Sequence, residues 1–235
     1  MGGLTRKAAI SGVYEYPIRK DPNATVYSIQ AQCAREALAE AGLSIRDVDG
    51  LMSPESRPLD TIALAEYMGL NPNVLDATNV GGSSFQLLLS RAAAAISAGQ
   101  CEVVLITYGS TALSSAMAIG TGGRGATRPN AWPDSFEAPY GGILAGMYAT
   151  VASRHMHEFG TKPEQLANIS VITRRHASMN PQALYQDPIT IDDVLGSRTI
   201  AWPLHLLECC VISDGGGAVV VTSPERARSC RTRPV

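Results

Sequence analysis

The chain carries no excess of charge: 19 Lys and Arg stand against 21 Asp and Glu in 235 residues, a formal net charge of -2. Nucleic acid or an anionic membrane as main partner would require a strongly basic surface, so both are excluded as principal ligands. No run of about 18 apolar residues occurs, which argues against a spanning helix. Arg6 and Lys7 are followed by no apolar h-region, so no secretory signal is read at the start. The five cysteines, Cys33, Cys101, Cys209, Cys210 and Cys230, form no disulfide framework, and the expected location is cytoplasmic. Neither CxxC nor HExxH is present, and His155 and His157 lie two apart, so no metal site is expected.

What is present is a globular mixture, 45% hydrophobic and 17% charged, long enough for one large or two small domains. Strand and helix patterns alternate, the mark of an α/β fold. Strands are expected at 8–13, 48–52, 74–78 and 102–108. Helices are expected at 25–41, 59–68 and 84–98, with Gly42, Gly69 and Gly99 placed to end them. Val103-Val104-Leu105-Ile106 reads as a strand buried on both faces. Residues 109–141 lack periodicity, which in a stretch of that length points to a binding loop or lid. Helices follow at 142–159 and 163–178, the second with a capping box of Thr161 and Glu164. Loop and a short helix are read over 180–198. Strands are then expected at 206–213 and 218–222 around a turn at Asp214-Gly215-Gly216-Gly217, and a helix from Ser223 leads to a solvated basic tail.

The helix at 84–98 carries one charge, Arg91, and is apolar nearly all the way round. Such a helix is sandwiched between two layers. A sheet would cover one side; a second domain or a partner chain would have to cover the other.

The chemistry concentrates where the third strand turns into that helix, at Asp76-Ala77-Thr78-Asn79-Val80-Gly81-Gly82-Ser83-Ser84. Unpaired N–H groups at a helix N-terminus favour an anion, an oxyanion or a phosphate. A serine nucleophile elbow would read GxSxG, and Phe85 stands where its last glycine belongs. A dinucleotide loop would need GxGxxG, which is absent there; the glycines of 120–125 join no strand to a helix. The purely structural alternative makes Ser83 or Ser84 an N-cap and the glycines a means of turning.

Val80-Gly81-Gly82-Ser83-Ser84-Phe85-Gln86, opening an Ala-rich helix, resembles the motif of the thiolase superfamily that usually reads Val-Cys-Gly-Ser-Gly-Leu-Gln. Leu206-Leu207-Glu208-Cys209-Cys210-Val211-Ile212-Ser213-Asp214-Gly215-Gly216-Gly217-Ala218 resembles the strand closing that family's N-terminal domain, most closely in the lipid-transfer or sterol-carrier thiolases. Glu40-Ala41-Gly42-Leu43 and Asp47-Val48-Asp49-Gly50 fit the same plan. The resemblance covers essentially the whole chain. It implies a βαβαβαββ mixed sheet with a buried central helix, formed by 1–108 and 206–235, and an inserted loop domain at 109–205. The family's C-terminal domain, which brings the acid and base, would be absent, and the chain alone would be inactive and dependent on a partner.

The family's nucleophilic cysteine falls at Gly81 here, so acyl transfer through a covalent thioester is not expected. Some lipid-transfer thiolase relatives with the Gly-Gly-Ser-Ser pattern are aldolases that cleave a β-hydroxyacyl-CoA without an acyl-enzyme. The resemblance therefore implies aldol-type cleavage in lipid or sterol side-chain metabolism, with Gly81, Gly82, Ser83 and Ser84 as the oxyanion region. Its alternatives are an acetyl-CoA acyltransferase with a different nucleophile, or a non-catalytic acyl-CoA- or lipid-binding subunit. It implies Tyr140, Met147 and His176 as walls of the CoA and acyl tunnel, and coenzyme A only as part of the substrate, with no cofactor. It also implies a homodimer through strand 74–78 and a partner subunit with an OB-fold and a zinc-ribbon-like segment. His205 reads as structural.

Overall fold

The computed structural model describes residues 3–54, 59–116 and 143–235. Two compact units result: one runs to Thr111 and resumes at Asp214–Val235, and the other is Ala112–Ser213.

The first unit is built on strands β1 (Ala9–Glu15), β2 (Gly50–Ser53), β3 (Val74–Ala77), β4 (Val103–Thr111) and, after the second unit, β7 (Asp214–Thr222). Their order across the sheet is β1-β7-β4-β2-β3. β2 runs parallel to β3 and β4, and β7 antiparallel to β4 and β1, so the sheet is mixed. Helices α1 (Val26–Ala41), α2 (Asp60–Met68) and α3 (Ser84–Ser97) connect the strands. The βαβαβαββ order matches the expectation.

Period-two alternation sends apolar side chains into two cores. Leu51, Val103, Leu105 and Val220 pack with Ile29, Cys33, Ala37 and Leu38 of α1. Their neighbours Met52, Val104, Ile106 and Val221 pack with Leu88, Ala92 and Ile96 of α3. At about 25 cal/mol per Å² of apolar area, each fully buried Leu or Ile contributes roughly 1.5–3 kcal/mol. α1 starts where the Thr25 hydroxyl accepts the Ser28 N–H at 3.1 Å, and Gly42 ends it in the left-handed conformation.

The region expected as strand, turn and strand folds differently. Leu206–Glu208 is a single 3-10 turn, closed by Glu208 Oε2, which accepts the His205 N–H at 2.7 Å and meets the His205 ring at 2.9 Å. A glutamate three residues on satisfies the donors at the turn's start better than a strand would. Asp214–Gly217 is not a turn; it is the start of β7, paired with β4 from Thr111 to Tyr108. A Cβ on Gly216 would lie 2.5 Å from the Tyr108 carbonyl oxygen and 2.6 Å from Ile29 Cγ2. The glycine lets α1 approach the strand, a packing demand that reads like a turn in sequence.

The terminal segment is docked through its backbone and through Arg226, while Arg228, Arg231 and Arg233 stay exposed as expected of a solvated basic tail. Val235 and Ile10 exchange backbone hydrogen bonds of 3.0 and 2.7 Å, and Arg226 pairs with Asp47 at 2.6 Å. The open side of β1 offered backbone groups that needed partners, and the tail supplies them.

The second unit contains α4 (Leu144–Phe159), α5 (Pro163–Ala177), α6 (Ile191–Gly196) and a two-stranded ribbon of β5 (Thr199–Ala201) with β6 (Leu204–His205). α5 begins one residue later than the expected box. The Lys162 N–H donates to Gln165, and Thr161 is hydrogen-bonded to the His155 ring at 2.9 Å. His205 is buried, as its structural reading requires. Among the described residues no helix is long and apolar enough to cross a membrane.

Candidate active site

β3 ends at Ala77, and the chain reaches α3 within seven residues. The strand end is anchored from the helix: Arg91 Nη1 lies 2.9 and 3.1 Å from the two carboxylate oxygens of Asp76 and 3.4 Å from the Ala77 carbonyl. Arg91, the one charge on an apolar helix, thus holds the base of the turn. The lone charge was the sequence signal; its partner, fifteen residues back on a strand, has no periodic relation to it.

Gly81 sits at φ +74°, in the left-handed region, and an added Cβ at Gly81 or Gly82 would meet nothing within 4 Å among the described residues. The turn is braced from inside. The buried Ser84 hydroxyl accepts the Val80 N–H at 2.9 Å and donates to the Gly81 carbonyl at 2.7 Å. Asn79 Oδ1 accepts the Gly81 N–H at 3.3 Å. Ser83 occupies the N-cap position, yet its side chain caps nothing. Neither serine is the ordinary N-cap that the structural alternative invoked: Ser84 bonds backward into the turn, and Ser83 stands exposed at the rim. Among the described residues no acceptor takes the N–H groups of Ser83, Phe85 or Gln86. These groups bear the positive end of the helix dipole.

Beside the turn, Phe85 packs edge-to-face on Tyr108 with ring centroids 5.4 Å apart. The two rings, with Tyr14, Leu89, Ile106 and Val219, line an apolar hollow of about 390 Å³. α3 itself is buried on one side only. Ser84, Leu88, Ala92, Ala95 and Ile96 face the sheet, whereas Phe85, Gln86, Ser90 and Ala94 are exposed.

Of the first unit's three thiols, Cys33 and Cys101 are buried in the cores, and the Cys230 thiol donates to the Arg226 carbonyl oxygen at 3.5 Å. Burial pushes the thiols of Cys33 and Cys101 up to about 11, and burial also raises that of Cys209. Cys209 and Cys210 belong to the second unit, in irregular chain rather than on a closing strand. All four histidines, His155, His157, His176 and His205, belong to the second unit too, so the first offers Ser83 no imidazole. Met147 on α4 and His176 on α5 are exposed; Tyr140, like the glycines of 120–125, lies outside the described residues. Among the described residues no cluster of three or more His, Cys, Asp or Glu is arranged to hold a metal.

A strand, a glycine turn and an Ala-rich helix on a mixed sheet, with open N–H groups at the helix start, define a thiolase-like protein. No family model matches the chain. It is 35% identical over 234 residues to a steroid side-chain-cleaving aldolase of Thermomonospora curvata, across 97% of this chain and 60% of that protein. It is 35% identical over 238 residues to the 17-hydroxy-3-oxo-4-pregnene-20-carboxyl-CoA lyase of Mycobacterium tuberculosis, across 99% and 61%. The solved Ltp2-ChsH2(DUF35) aldolase superposes with a TM-score of 0.82 at 33% identity, over 99% of this chain and 59% of that one. Human mitochondrial 3-ketoacyl-CoA thiolase shares the fold at 15% identity, with a TM-score of 0.65. The chain is thus similar over nearly its whole length to side-chain-cleaving aldolases, has the thiolase-like fold, and resembles sterol carrier protein 2 of Gallus gallus over 92 residues. It spans about 60% of the length of the curated relatives it matches over nearly its whole sequence.

Proposed function

We propose that this chain is part of a CoA-ester lyase that cleaves a β-hydroxyacyl-CoA by retro-aldol chemistry, without a covalent acyl-enzyme. The observation that carries the reading is Gly81. The place of the family's nucleophile has no side chain, while the helix N-terminus behind it keeps its open donors. Likeness to two proteins named as a side-chain-cleaving aldolase and a steroid carboxyl-CoA lyase supports it.

In that reaction a base takes the proton of the β-hydroxyl and the oxygen's electrons form a carbonyl. The bond between the α- and β-carbons breaks, and its electrons pass into the thioester as an enolate. Protonation at the α-carbon then completes the shorter acyl-CoA. The enolate oxygen is the charge to be stabilised, and donors at the start of α3 suit it. Coenzyme A enters as part of the substrate, and the step calls for neither redox cofactor nor metal. We assign the substrate to the bulky lipid or steroid side-chain class, and Tyr140, Met147 and His176 to the walls of its tunnel.

The assembly proposed is a homodimer joined along β3. The outer side of β1 is occupied by the chain's own tail, while β3 forms the other border of the sheet. A small OB-fold partner completes the active complex, in keeping with the two-component name of the solved aldolase. The test is to incubate the full-length protein and its partner with a β-hydroxyacyl-CoA and follow carbonyl product and shortened acyl-CoA by mass spectrometry. Binding without cleavage would turn the reading toward a scaffold. A covalent acetyl adduct formed from acetyl-CoA would restore an acyltransferase.

A further inference from the structure

We infer that Ser84 is the positioning residue of this site: its hydroxyl locks the Val80–Gly82 turn so that the donors at the start of α3 stand fixed before substrate arrives. The inference rests on the lyase reading and names a residue through which that site is preorganised.

Two glycines in succession give a turn with the widest backbone freedom, and an oxyanion site built on such a turn would have to be ordered during the reaction. Electrostatic stabilisation is large only when the donors need no reorganisation. Something must therefore hold this turn, and neither glycine has a side chain to do it. Ser84 does so from the next residues of the chain. Its Oγ takes the Val80 N–H at 2.9 Å and gives its own proton to the Gly81 carbonyl at 2.7 Å, bridging both sides of the turn with one atom. At 1% exposure the hydroxyl is out of reach of competing water, so both bonds are made at full strength. The Gly81 carbonyl is thereby turned into the helix, where it also receives the Ser84 N–H at 3.0 Å. With that carbonyl held inward, its negative end is kept away from the space above Gly81 and Gly82 where the enolate oxygen would lie.

The sequence carries the same logic. The thiolase motif has a side chain where Gly81 stands and a glycine where Ser84 stands; this chain exchanges the two. Ser84 does not replace the nucleophile, because its oxygen is buried and engaged on both sides.

The test uses the full-length protein with its partner and compares Ser84→Ala and Ser84→Thr with wild type. Removing one oxyanion donor outright costs about 10²–10³ in rate, so loosening a set of donors is expected to lower kcat by roughly 10-fold or more. KM should stay within about twofold, because ground-state binding does not use the fixed donors. Ser84→Thr keeps the bridging oxygen and should recover most of kcat. Hydrogen exchange at the Val80 and Gly81 amides should quicken in Ser84→Ala, with the rest of α3 unchanged. A Ser84→Ala kcat within twofold of wild type would overturn the inference. So would a fall in kcat accompanied by equally quickened exchange along all of α3, which marks a folding role. Absence of β-hydroxyacyl-CoA cleavage by wild type would instead remove the lyase reading, and this inference with it.

Discussion

Restoring a cysteine at position 81 tests whether this helix start retains the geometry of an acyl-accepting site. Two terms set the cost of Gly81→Cys. The first is backbone strain: φ is +74°, and an L-residue there costs about 1–2 kcal/mol. The second is steric, and among the described residues it is small, because an added Cβ meets none of their atoms within 4 Å. For a protein of this size about 1 kcal/mol shifts Tm by roughly 2–4 °C, so the variant should melt only a few degrees early. The new thiol would sit beside open N–H groups at the positive end of α3, which favours the thiolate. Its attack on acetyl-CoA forms an enzyme thioester and expels the CoA thiolate, a balanced exchange. Intact-mass spectrometry of the full-length Gly81→Cys protein after acetyl-CoA should show one acetyl group that hydroxylamine removes, whereas wild type shows none. A folded variant that stays unmodified as pH is raised through the thiol's titration would refute the argument that the donors converge on this position. A Tm loss of ten degrees or more would refute the claim of open space.

Gly216→Ala should behave oppositely, since its Cβ would press on the Tyr108 carbonyl at 2.5 Å and on Ile29; we expect a loss of roughly 1–3 kcal/mol or more in a urea melt, although alanine is otherwise the mildest of changes. The Tyr16 hydroxyl donates to Asp21 Oδ2 at 2.6 Å, and that bond, with burial behind it, pushes the phenol up to about 12. A folded-state value raised above the ordinary 10 stabilises the protein fully below pH 10 and is lost as pH rises through about 12. Stability should therefore decline over that interval in wild type, and a Tyr16→Phe variant should show a shallower decline in alkaline melts.

The first unit was legible because its strands are buried on both faces and its helices are strongly patterned. Val103–Ile106 alternates between two cores, which makes it read as an uninterrupted apolar run. α3 was legible as a helix with two faces to cover, and one of them is indeed exposed. What the sequence hid are long-range demands. Asp214–Gly217 has the composition of a turn, but Gly216 answers to α1 packing against β7 from the other end of the chain, and a Cβ on Gly217 would lie 3.1 Å from the Tyr14 carbonyl oxygen. Asp214 is buried and accepts the Asp21 N–H at 2.7 Å, a partner 193 residues away. The Arg226–Asp47 pair and the Ile10–Val235 bonds are equally remote, so the docking of the terminal backbone had no local signal. At the candidate site the glycines and serines were visible, whereas the separate work of Ser83 and Ser84 was not. Which hydroxyl is buried depends on the phase at which α3 meets the sheet.

A glycine at position 81 is more than a missing catalyst under the lyase reading. Retro-aldol cleavage needs the thioester intact, because its carbonyl is the sink for the electrons released from the broken carbon–carbon bond. A thiolate at the start of α3 would attack that same carbonyl, turn it tetrahedral and remove the sink. The donors that stabilise an enolate oxygen also stabilise the oxyanion of that attack, so they cannot discriminate between the two reactions. Removing the nucleophile and keeping the donors does discriminate. The turn must then be rigid without the side chain it has lost, which is the part the buried Ser84 hydroxyl takes. The two departures from the thiolase motif are thus a coupled pair. Gly81 removes the competing reaction, and Ser84 restores the order that glycine forfeits. In the full-length protein Gly81→Cys should accordingly trade lyase turnover for a trapped thioester, and Ser84→Ala should lose turnover without gaining one.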